Sequence, residues 1–360
     1  MTATTKQDLE YIHSKMMGHA EKFQNSTIVI TGCAGFLGYC FMLYFSQYRQ
    51  ELGIRKVIGL DNFMLGRPKW LESLGEGFDI HQFNVISDNI AEVTDAKNAD
   101  YVIHMASIAS PVFYRKHPIE TIDANIWGLR SLLEFYKHNG IKGFLFFSSS
   151  EIYGDPTPDA IPTDEEYRGL VSAIGSRACY DEAKRFGETM CMLFSQVHKM
   201  PIGVARPFNN YGPGMKLNDK RVPADFAQAV SLNQDIVILS SGSPTRTFCY
   251  VADAVVGYLK ILVHGKYDYF NIGIDAPEIS VAQLADIYAR AARDTFGYSG
   301  KVVFQAPEED NYLTHNPQRR CPDISKAMRI LGYEPQISVE DGVHRFLRHI
   351  KESKAEELSW

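Results

Sequence analysis

Two residues in the middle of the chain stand at a spacing that suits acid–base chemistry. Tyr180 and Lys184 lie four residues apart in RACYDEAKR, so on a helix both side chains project from one face. A phenol, whose ordinary pKa is about 10, becomes a useful base when neighbouring positive charges stabilise the phenolate. Such a pair alone is common and usually marks a solvated helix face. It gains meaning from Ser149, whose hydroxyl can hold the same substrate oxygen while the phenol removes a proton from a secondary alcohol.

The segment around Ser149 places several polar groups at one point. The apolar run FLFF predicts a buried strand, which stops at three serines and is followed by a single acid, Glu151, in FFSSSEIYGDP. A strand that ends in hydroxyls and one carboxylate is expected to present them to a cleft. The alternative is that Glu151 only forms hydrogen bonds with the backbone at the end of the strand.

A glycine-rich loop near the N-terminus predicts a dinucleotide site. Residues 32–38 read GCAGFLG and lie between the strand-like TIVIT and a helical stretch. Glycines there allow a tight turn and a close approach to a pyrophosphate at the start of the helix. Asp61 ends the next apolar run, where an acid accepts the ribose hydroxyls and repels a 2′-phosphate, which favours NAD over NADP. The alternative is a plain glycine-rich turn followed by a capping aspartate.

The elements that must position these residues alternate between two periodicities. Short apolar runs such as FDIHQF, YVIHMA and GFLFFS are separated in places by helical stretches such as 118–138. This alternation predicts an α/β fold with a Rossmann-type doubly wound parallel sheet. After about residue 207 the regularity weakens, and YDYFNIG is a strand that returns to the first sheet. The C-terminal third therefore predicts a smaller α/β lobe over the carboxyl edge of the sheet.

Composition narrows the class of protein. A net charge of −6 over 360 residues disfavours a nucleic-acid partner, and no apolar run is long enough to span a membrane. The first 26 residues are polar and mixed, which argues against a secretory signal and allows a loosely held helix without an assigned role. The six cysteines form no CxxC pair, which favours free thiols in the cytoplasm, and they form no metal-ligand pattern with the histidines.

With these residues in view, the chain resembles the extended short-chain dehydrogenases/reductases that act on nucleotide sugars, the NAD-dependent epimerase/dehydratase family, over residues 27–350. The resemblance rests above all on SSSEIYGDP and RACYDEAKR, with support from RPFNNYGPGM, SPTRTFCYVAD and PQRRCPDISKAMRILGYEP. Within the family it is most similar to the decarboxylases of UDP-glucuronate, which carry Ser-Glu after the catalytic hydroxyl. Dehydratases carry Asp-Glu there, and 4-epimerases carry small or apolar residues. The chain departs from the family pattern at Cys33, Asn84, Pro207 and Gly214.

The resemblance implies an enzyme that converts UDP-glucuronate to UDP-xylose. Oxidation at C4 makes the sugar carboxylate that of a β-keto acid, carbon dioxide leaves, and the ketone is reduced again as NAD is regenerated. Donors at the C4 oxygen would stabilise the enolate. A related possibility stops at the 4-keto-pentose and releases NADH. The alternatives are a nucleotide-sugar 4-epimerase or other NAD-dependent nucleotide-sugar enzyme, and an NAD-binding protein without catalysis.

The resemblance also assigns residues to roles. The catalytic set is Ser149, Glu151, Tyr180, Lys184 and Arg246. The cofactor set is Gly32, Gly35, Phe36, Leu37, Gly38, Asp61, Asn62, Asn84, Val85, Ala106, Tyr180 and Lys184. The substrate set is Ser110, Ser150, Asn209, Arg221, Arg246 and Arg320. Arg246 is either a general acid or a diphosphate clamp, Arg320 is a phosphate ligand, and His104 packs near NAD without a catalytic role.

The same resemblance divides the chain and predicts its assembly. The division is an N-terminal extension at 1–26, an NAD-binding Rossmann domain at 27–207 to which 247–273 return, and a nucleotide-sugar-binding lobe at 208–246 and 274–350. Family members pair helices that correspond to 118–138 and 178–198, which predicts a homodimer. The apolar residues considered for that interface are Trp127, Leu132, Leu133, Met192 and Phe194. The alternative is that these residues pack only on their own sheet.

Overall fold

Seven of the apolar runs become strands of one parallel sheet. The computed structural model describes residues 1–306 and 317–353. In chain order the strands are β1 Thr27–Thr31, β2 Lys56–Asp61, β3 Phe78–Gln82, β4 Tyr101–His104, β5 Gly143–Phe147, β6 Ile202–Pro207, β7 Asn210–Tyr211, β8 Ile236–Ile238, β9 Thr245–Arg246, β10 Cys249–Tyr250, β11 Asp268–Ile272, β12 Ile279–Ser280, β13 Val302–Phe304 and β14 Arg319–Arg320.

Helices cover both faces of this sheet and build the second lobe. They are α1 Ala3–Met16, α2 Phe36–Tyr48, α3 Pro111–Lys116, α4 Pro118–Asp123, α5 Leu129–Tyr136, α6 Ala178–His198, α7 Val222–Ser231, α8 Val251–Leu262, α9 Val281–Phe296, α10 Ser325–Leu331 and α11 Val339–Glu352. A π-helical turn, Ala124–Gly128, joins α4 to α5, and a short 3₁₀ turn, Ser150–Tyr153, follows β5. None of the helices in the described ranges is long and apolar enough to cross a membrane.

The central sheet has the order β11-β6-β5-β4-β1-β2-β3, and every pairing in it is parallel. The predicted doubly wound α/β fold is therefore confirmed. Alternate residues of β1 enter the two cores: Ile28 and Ile30 pack on one face and Val29 on the other. The winding reverses between β1 and β4, and ligands of such sheets bind in the crevice at that point, beyond the carboxyl ends of the strands.

Three small sheets lie outside the central one. They join β10 to β7, β12 to β9 and β14, and β13 to β8. In the second of these, β14 runs parallel to β9 with Arg320 opposite Arg246. Two arginines that are far apart in the sequence are thereby brought side by side. The strand β11, which was expected to return to the main sheet, pairs with β6 from Asp268 opposite Gly203 onward.

The N-terminal segment packs firmly against the rest of the fold, so the expectation of a loosely held helix is wrong. The helix α1 packs against α2, α8 and α11 and buries Leu9 and Ile12. Asp8 on the buried face has two partners: its carboxylate accepts from the Tyr250 hydroxyl at 2.6 Å and from Arg345 at 2.9 Å. These polar residues on the buried face disguise the amphipathic pattern in the sequence.

Substitution of Ile12 by alanine should lower the free energy of unfolding by about 2–5 kcal/mol, because the side chain is buried at the meeting point of three helices. The midpoint of urea unfolding measures this change. Gln7→Ala, on the exposed face of the same helix, is the matched control and should stay within about 0.5 kcal/mol of the parent. Equal midpoints for the two variants would contradict the packing of α1.

Candidate active site

A cavity of roughly 360 Å³ opens beyond the carboxyl ends of the central strands. Its wall combines the start of α2, the turn after β5, the first half of α6, and residues from β9 and β14. The residues in this wall that the sequence had singled out are Phe36, Leu37, Ser149, Ser150, Glu151, Tyr180, Lys184, Asn209, Arg221, Arg246 and Arg320. The fold therefore gathers residues from seven separate segments around one space.

The serine, tyrosine and lysine meet because α6 lies against the end of β5. Ser149 caps the short turn after the strand, its hydroxyl accepting from the Glu151 amide at 3.2 Å, and it forms a hydrogen bond with Tyr180. The Lys184 ammonium donates to the Phe147 carbonyl at 2.7 Å and lies 5.5 Å from the centre of the Tyr180 ring. The lysine thus fastens the helix to the strand that carries the serine.

The charge states of these groups differ from the expectation. Burial raises the pKa of Tyr180 to about 12, against the opposing effect of its hydrogen bond with Ser149. Burial lowers the pKa of Lys184 to about 7. Lys184 alone does not lower the Tyr180 pKa in the protein without cofactor, because the ammonium bonds to a carbonyl and the surrounding protein desolvates the phenol; the lowering by Lys184 together with the positive nicotinamide ring stays a prediction. In this form Tyr180 is a hydrogen-bond donor at neutral pH.

Glu151 is held by two guanidinium groups. Arg320 meets it as a fork, with Nη1 2.5 Å from Oε1 and Nη2 2.7 Å from Oε2, and Arg177 pairs with Oε2 from the other side. Burial alone would raise the pKa of Glu151, but the charges of Arg320 and Arg177 hold it well below its ordinary value. Glu151 therefore stays ionised, and the alternative that it only bonds the backbone is wrong. Arg320, predicted to be a phosphate ligand, binds this carboxylate in the protein without substrate.

Three residues of the site were missed in the sequence. Arg177 and Asp181 lie on the same face of α6 as the Tyr180–Lys184 pair, and their ion pair spans 3.6 Å. The ring of Tyr114 stacks on that of Tyr180 with centroids 5.2 Å apart, and the Arg177 guanidinium lies 5.9 Å from the centre of the Tyr114 ring. The signal for the first two was present in RACYDEAKR, where residues 177 and 181 have the same spacing as 180 and 184. Nothing local marks Tyr114.

Arg246 makes extensive contacts with the backbone. Its guanidinium donates to the carbonyls of Thr245, Gln318 and Pro317 at 2.7, 3.2 and 2.5 Å. Burial, together with the charge of Arg320, lowers the pKa of Arg246 to about 9. These bonds make Arg246 a fixed positive charge beside Arg320.

Of the other predicted substrate residues, Asn209 and Arg221 line the cavity and Ser110 does not. The Asn209 side chain lines the cavity and donates to the Thr247 carbonyl at 2.8 Å. Arg221 pairs with Asp219 and lies 5.6 Å from the centre of the Phe36 ring, next to the glycine loop. Ser110 instead donates to the Asp219 carbonyl at 2.8 Å and is absent from the cavity wall.

The glycine loop fits a dinucleotide. Gly32 has a φ of +73°, and a Cβ there would lie 2.9 Å from the Ala106 amide nitrogen; a Cβ on Gly38 would overlap the Cys33 carbonyl. Gly35 is the N-cap of α2 and offers no side-chain cap, so the first amides of that helix are available to an anion. Asp61 accepts from the Ala34 amide at 3.0 Å, which holds its carboxylate beside the loop.

The remaining predicted cofactor residues follow the neighbouring strands at the same edge of the sheet. Asn62 comes directly after β2, and Asn84 with Val85 and Ala106 lie within three residues of the ends of β3 and β4. His104, at the end of β4, is buried and bonds Thr31 at 2.8 Å; burial and the charge of Lys184 lower its pKa to about 3. It is therefore neutral and structural. Within residues 1–306 and 317–353 no group of three His, Cys, Asp or Glu side chains could hold a metal ion.

Several polar atoms around the cavity are buried without a hydrogen-bond partner among the described residues. They are Ser148 Oγ, the Tyr114 hydroxyl, Asp181 Oδ1, Thr247 Oγ1 and Arg320 Nε. Each such group costs about 1–3 kcal/mol, so their concentration at one place indicates a site built around a polar ligand.

Comparison with known proteins agrees with this geometry. The model of the NAD dependent epimerase/dehydratase family matches residues 28–273. UDP-glucuronic acid decarboxylase 1 of Xenopus tropicalis is 35% identical over 90% of this chain and 72% of its own length, and UDP-glucuronic acid decarboxylase 6 of Arabidopsis thaliana is 33% identical over 89% and 87%. Among solved structures, the UDP-glucose 4-epimerase of Thermotoga maritima with UDP-glucose superimposes with a TM-score of 0.77 at 25% identity, over 90% of this chain and 98% of that one.

Proposed function

Because the chain belongs to the NAD-dependent epimerase/dehydratase family, we propose that it decarboxylates UDP-glucuronate to UDP-xylose with NAD as a recycled cofactor. Its similarity to UDP-glucuronic acid decarboxylases extends over about nine-tenths of its length. The observation that carries the proposal is the pairing of Glu151 with Arg177 and Arg320 next to Ser149. Two buried guanidinium groups beside the reacting hydroxyl suit a sugar that carries a carboxylate, whereas a neutral sugar offers them nothing.

The reaction assigns each residue an action. The Tyr180 phenolate, which the positive charges of Lys184 and of bound oxidised NAD would stabilise, takes the proton of the C4 hydroxyl, and Ser149 holds the same oxygen by a hydrogen bond. NAD, held by the glycine loop and Asp61, would supply the acceptor for the C4 hydride and the donor for the final reduction. Once carbon dioxide leaves, negative charge gathers on the C4 oxygen, where the Ser149 and Tyr180 hydroxyls stabilise it as donors. Glu151, ionised and fixed by its arginines, orients the sugar or the water from which C5 regains its proton.

The neighbouring arginines supply the positive charge that the substrate needs. Arg246 and Arg320 lie side by side on β9 and β14, and the positive charge of Arg320 disfavours the charged form of Arg246. A diphosphate between the lobes would relieve that repulsion. Because the guanidinium of Arg246 is fixed on three backbone carbonyls, we assign it to the diphosphate clamp and leave the general-acid alternative aside.

A nucleotide-sugar 4-epimerase is the second candidate, because the similarity to the Thermotoga maritima epimerase covers the same sheet and lobe. Mass spectrometry of nucleotide sugars incubated with the purified protein and NAD separates the two. We expect loss of carbon dioxide from UDP-glucuronate and no change of UDP-glucose. A product of unaltered mass would support the epimerase, and no release from any nucleotide-linked uronate would rule out the decarboxylase.

The cofactor should be NAD. The Asp61 carboxylate lies at the end of β2 beside the glycine loop, where a 2′-phosphate would meet its negative charge. We therefore expect NADP to bind at least about tenfold more weakly than NAD, equivalent to about 1.4 kcal/mol. Fluorescence titration of the cofactor-stripped protein measures both affinities, and equal values would contradict the role of Asp61.

We propose that the protein forms a homodimer through α6 and the adjoining π-helical turn. Of the residues first considered, Leu132, Leu133 and Phe194 are buried against their own sheet, so they are unsuited to this interface. An apolar stripe faces outward instead, with exposed fractions of 69% for Val197, 62% for Trp127, 50% for Phe186 and 47% for Leu193.

Light scattering tests this assembly. The parent protein should have the mass of two chains at micromolar concentration, and Val197→Glu should shift it toward one, because a charge in the centre of an apolar interface is not compensated. Leu232→Glu, an exposed position on α7's end, is the matched control and should leave the dimer intact. A monomeric parent would exclude the proposal.

We retain the division of the chain as part of the proposal. Residues 27–207 with 247–273 would hold NAD, and 208–246 with 274–350 would hold the nucleotide sugar, although 307–316 lie outside the described residues.

The six cysteines, all in the described part, form no disulfide, which supports a reducing compartment such as the cytoplasm.

A further inference from the structure

A cluster of charged side chains lies behind Tyr180 and consists of Glu151, Arg177, Asp181 and Arg320. Asp181 is the charge in this cluster with the fewest stabilising contacts. Its side chain is buried, and its Oδ2 lies 3.6 Å from the Arg177 Nε, too far for a hydrogen bond. Its Oδ1 is buried with no hydrogen-bond partner among the described residues. Glu151, by contrast, receives the Arg320 fork and a second arginine. The Arg177 guanidinium therefore interacts with two carboxylates and stabilises Glu151 more than Asp181.

The charged surroundings of Asp181 come from several elements. Burial and the charge of Glu151 raise the pKa of Asp181 to about 7, and Arg177 and Arg320 act in the opposite direction. The titratable groups that also face the cluster are Cys179, Tyr180 and Tyr114. The pKa values of Tyr180, Tyr114 and Cys179 are all raised, so these three groups are neutral at neutral pH. Asp181 is thus the acid of the cluster whose charge changes near neutral pH, and Lys184, one turn further along α6 with a pKa of about 7, is the base that also does so.

We propose that Asp181 takes up a proton when the carboxylate of the sugar enters the cavity beside Arg177. Asp181 thereby loses its negative charge as the negative charge of the substrate arrives. The inference rests on the proposed function, which brings a uronate into the cavity. Arg177 lines the cavity and Asp181 lies behind it. A third carboxylate on the same guanidinium leaves one buried anion without compensation, and the cost falls on the carboxylate with the fewest partners. Asp181 acts through Arg177 and is a positioning residue.

The exchange has a defined sign. A group that is more protonated in the complex than in the free protein makes binding weaken as pH rises. Above about pH 7, where Asp181 is ionised in the free protein, the dissociation constant for UDP-glucuronate should rise by up to about tenfold per pH unit. UDP-glucose, which lacks the carboxylate, should bind with little dependence on pH over the same range.

Calorimetry of the NAD-loaded protein tests the exchange. UDP-glucuronate is titrated into Tyr180→Phe, which binds without turnover, at roughly pH 8 in phosphate and in Tris, whose different ionisation enthalpies reveal protons taken up. We expect an uptake approaching one proton with UDP-glucuronate and close to none with UDP-glucose. In the double variant Tyr180→Phe/Asp181→Asn, where the amide imitates the protonated acid, the uptake should fall by most of a proton and the affinity should depend less on pH; any remaining uptake comes from Lys184.

Two results would overturn the proposal: equal uptake with the two sugars, or uptake that is as large after Asp181→Asn as before it. If the double variant fails to fold, the comparison of the two sugars on the single variant still decides. In the wild type, the KM for UDP-glucuronate should rise with pH while kcat holds, a split that a purely structural aspartate would not produce. If carbon dioxide is released but no proton is taken up, only this inference fails. If no carbon dioxide is released, the proposed function fails.

Discussion

Tyr180→Phe should reduce carbon dioxide release from UDP-glucuronate by about 10²–10⁴-fold, because it removes the phenolic oxygen that accepts the C4 proton. The side chain is buried, its hydroxyl bonds Ser149, and its ring stacks on Tyr114, so phenylalanine fits the same space. The first oxidation is then blocked, and a single turnover should show no absorbance of reduced cofactor. Rapid-mixing spectroscopy and product analysis on the same sample measure both effects.

The control for this variant is Tyr136→Phe. Tyr136 is equally buried, and its hydroxyl donates to the Ala96 carbonyl at 3.1 Å, far from the cavity wall. Its loss should cost about 1 kcal/mol of stability and leave the rate unchanged. If Tyr180→Phe retained more than about a tenth of the parent activity, the proton would have another acceptor and the assignment of the phenol would be wrong.

Glu151→Gln should slow the reaction by a similar factor, about 10²–10⁴, but at a later step. The amide keeps the volume of the carboxylate and loses the charge that Arg177 and Arg320 share. The fold and the NAD site should remain, although stability should fall because two buried guanidinium groups lose their anion. Proton removal by Tyr180 and hydride transfer to bound NAD are still possible, so a single turnover should show reduced cofactor that persists while carbon dioxide release is slow.

The two variants therefore differ in where the reaction stops, and this difference is the informative readout. Glu120→Gln, at an exposed position on α4, is the matched control and should behave as the parent. Near-parental activity of Glu151→Gln on UDP-glucuronate would mean that the Ser-Glu pair serves structure only. The proposal would then lack its main support from the site.

The fold and the reacting groups were predictable because they depend on local patterns. Parallel strands end at one edge of a sheet, so the glycine loop, Asp61 and Ser149 had to meet there once the alternation of runs was recognised. The Tyr180–Lys184 pair follows from helical spacing alone. These positions are set by elements whose periodicity is strong.

The partners of Glu151 were harder to predict because they come from a distant part of the chain. Arg320 bonds it across 169 positions of sequence, through the pairing of two-residue strands that have no periodicity to detect. The packing of α1 was missed because its buried face carries Asp8 and threonines whose partners lie on other helices. The burial of Leu132, Leu133 and Phe194 was not predictable because the sequence shows that a helix is apolar on a broad face without showing which part its own sheet covers.

The central claim is that the protein removes carbon dioxide from UDP-glucuronate while NAD is regenerated in each cycle. The most direct test supplies UDP-glucuronate labelled at its carboxylate together with NAD at a small fraction of the substrate concentration. Labelled carbon dioxide and reduced cofactor are then followed together. The account predicts that carbon dioxide far exceeds the NAD present, that UDP-xylose accumulates in equal amount, and that no net NADH appears. Release limited to one carbon dioxide per NAD, with NADH accumulating, would contradict it.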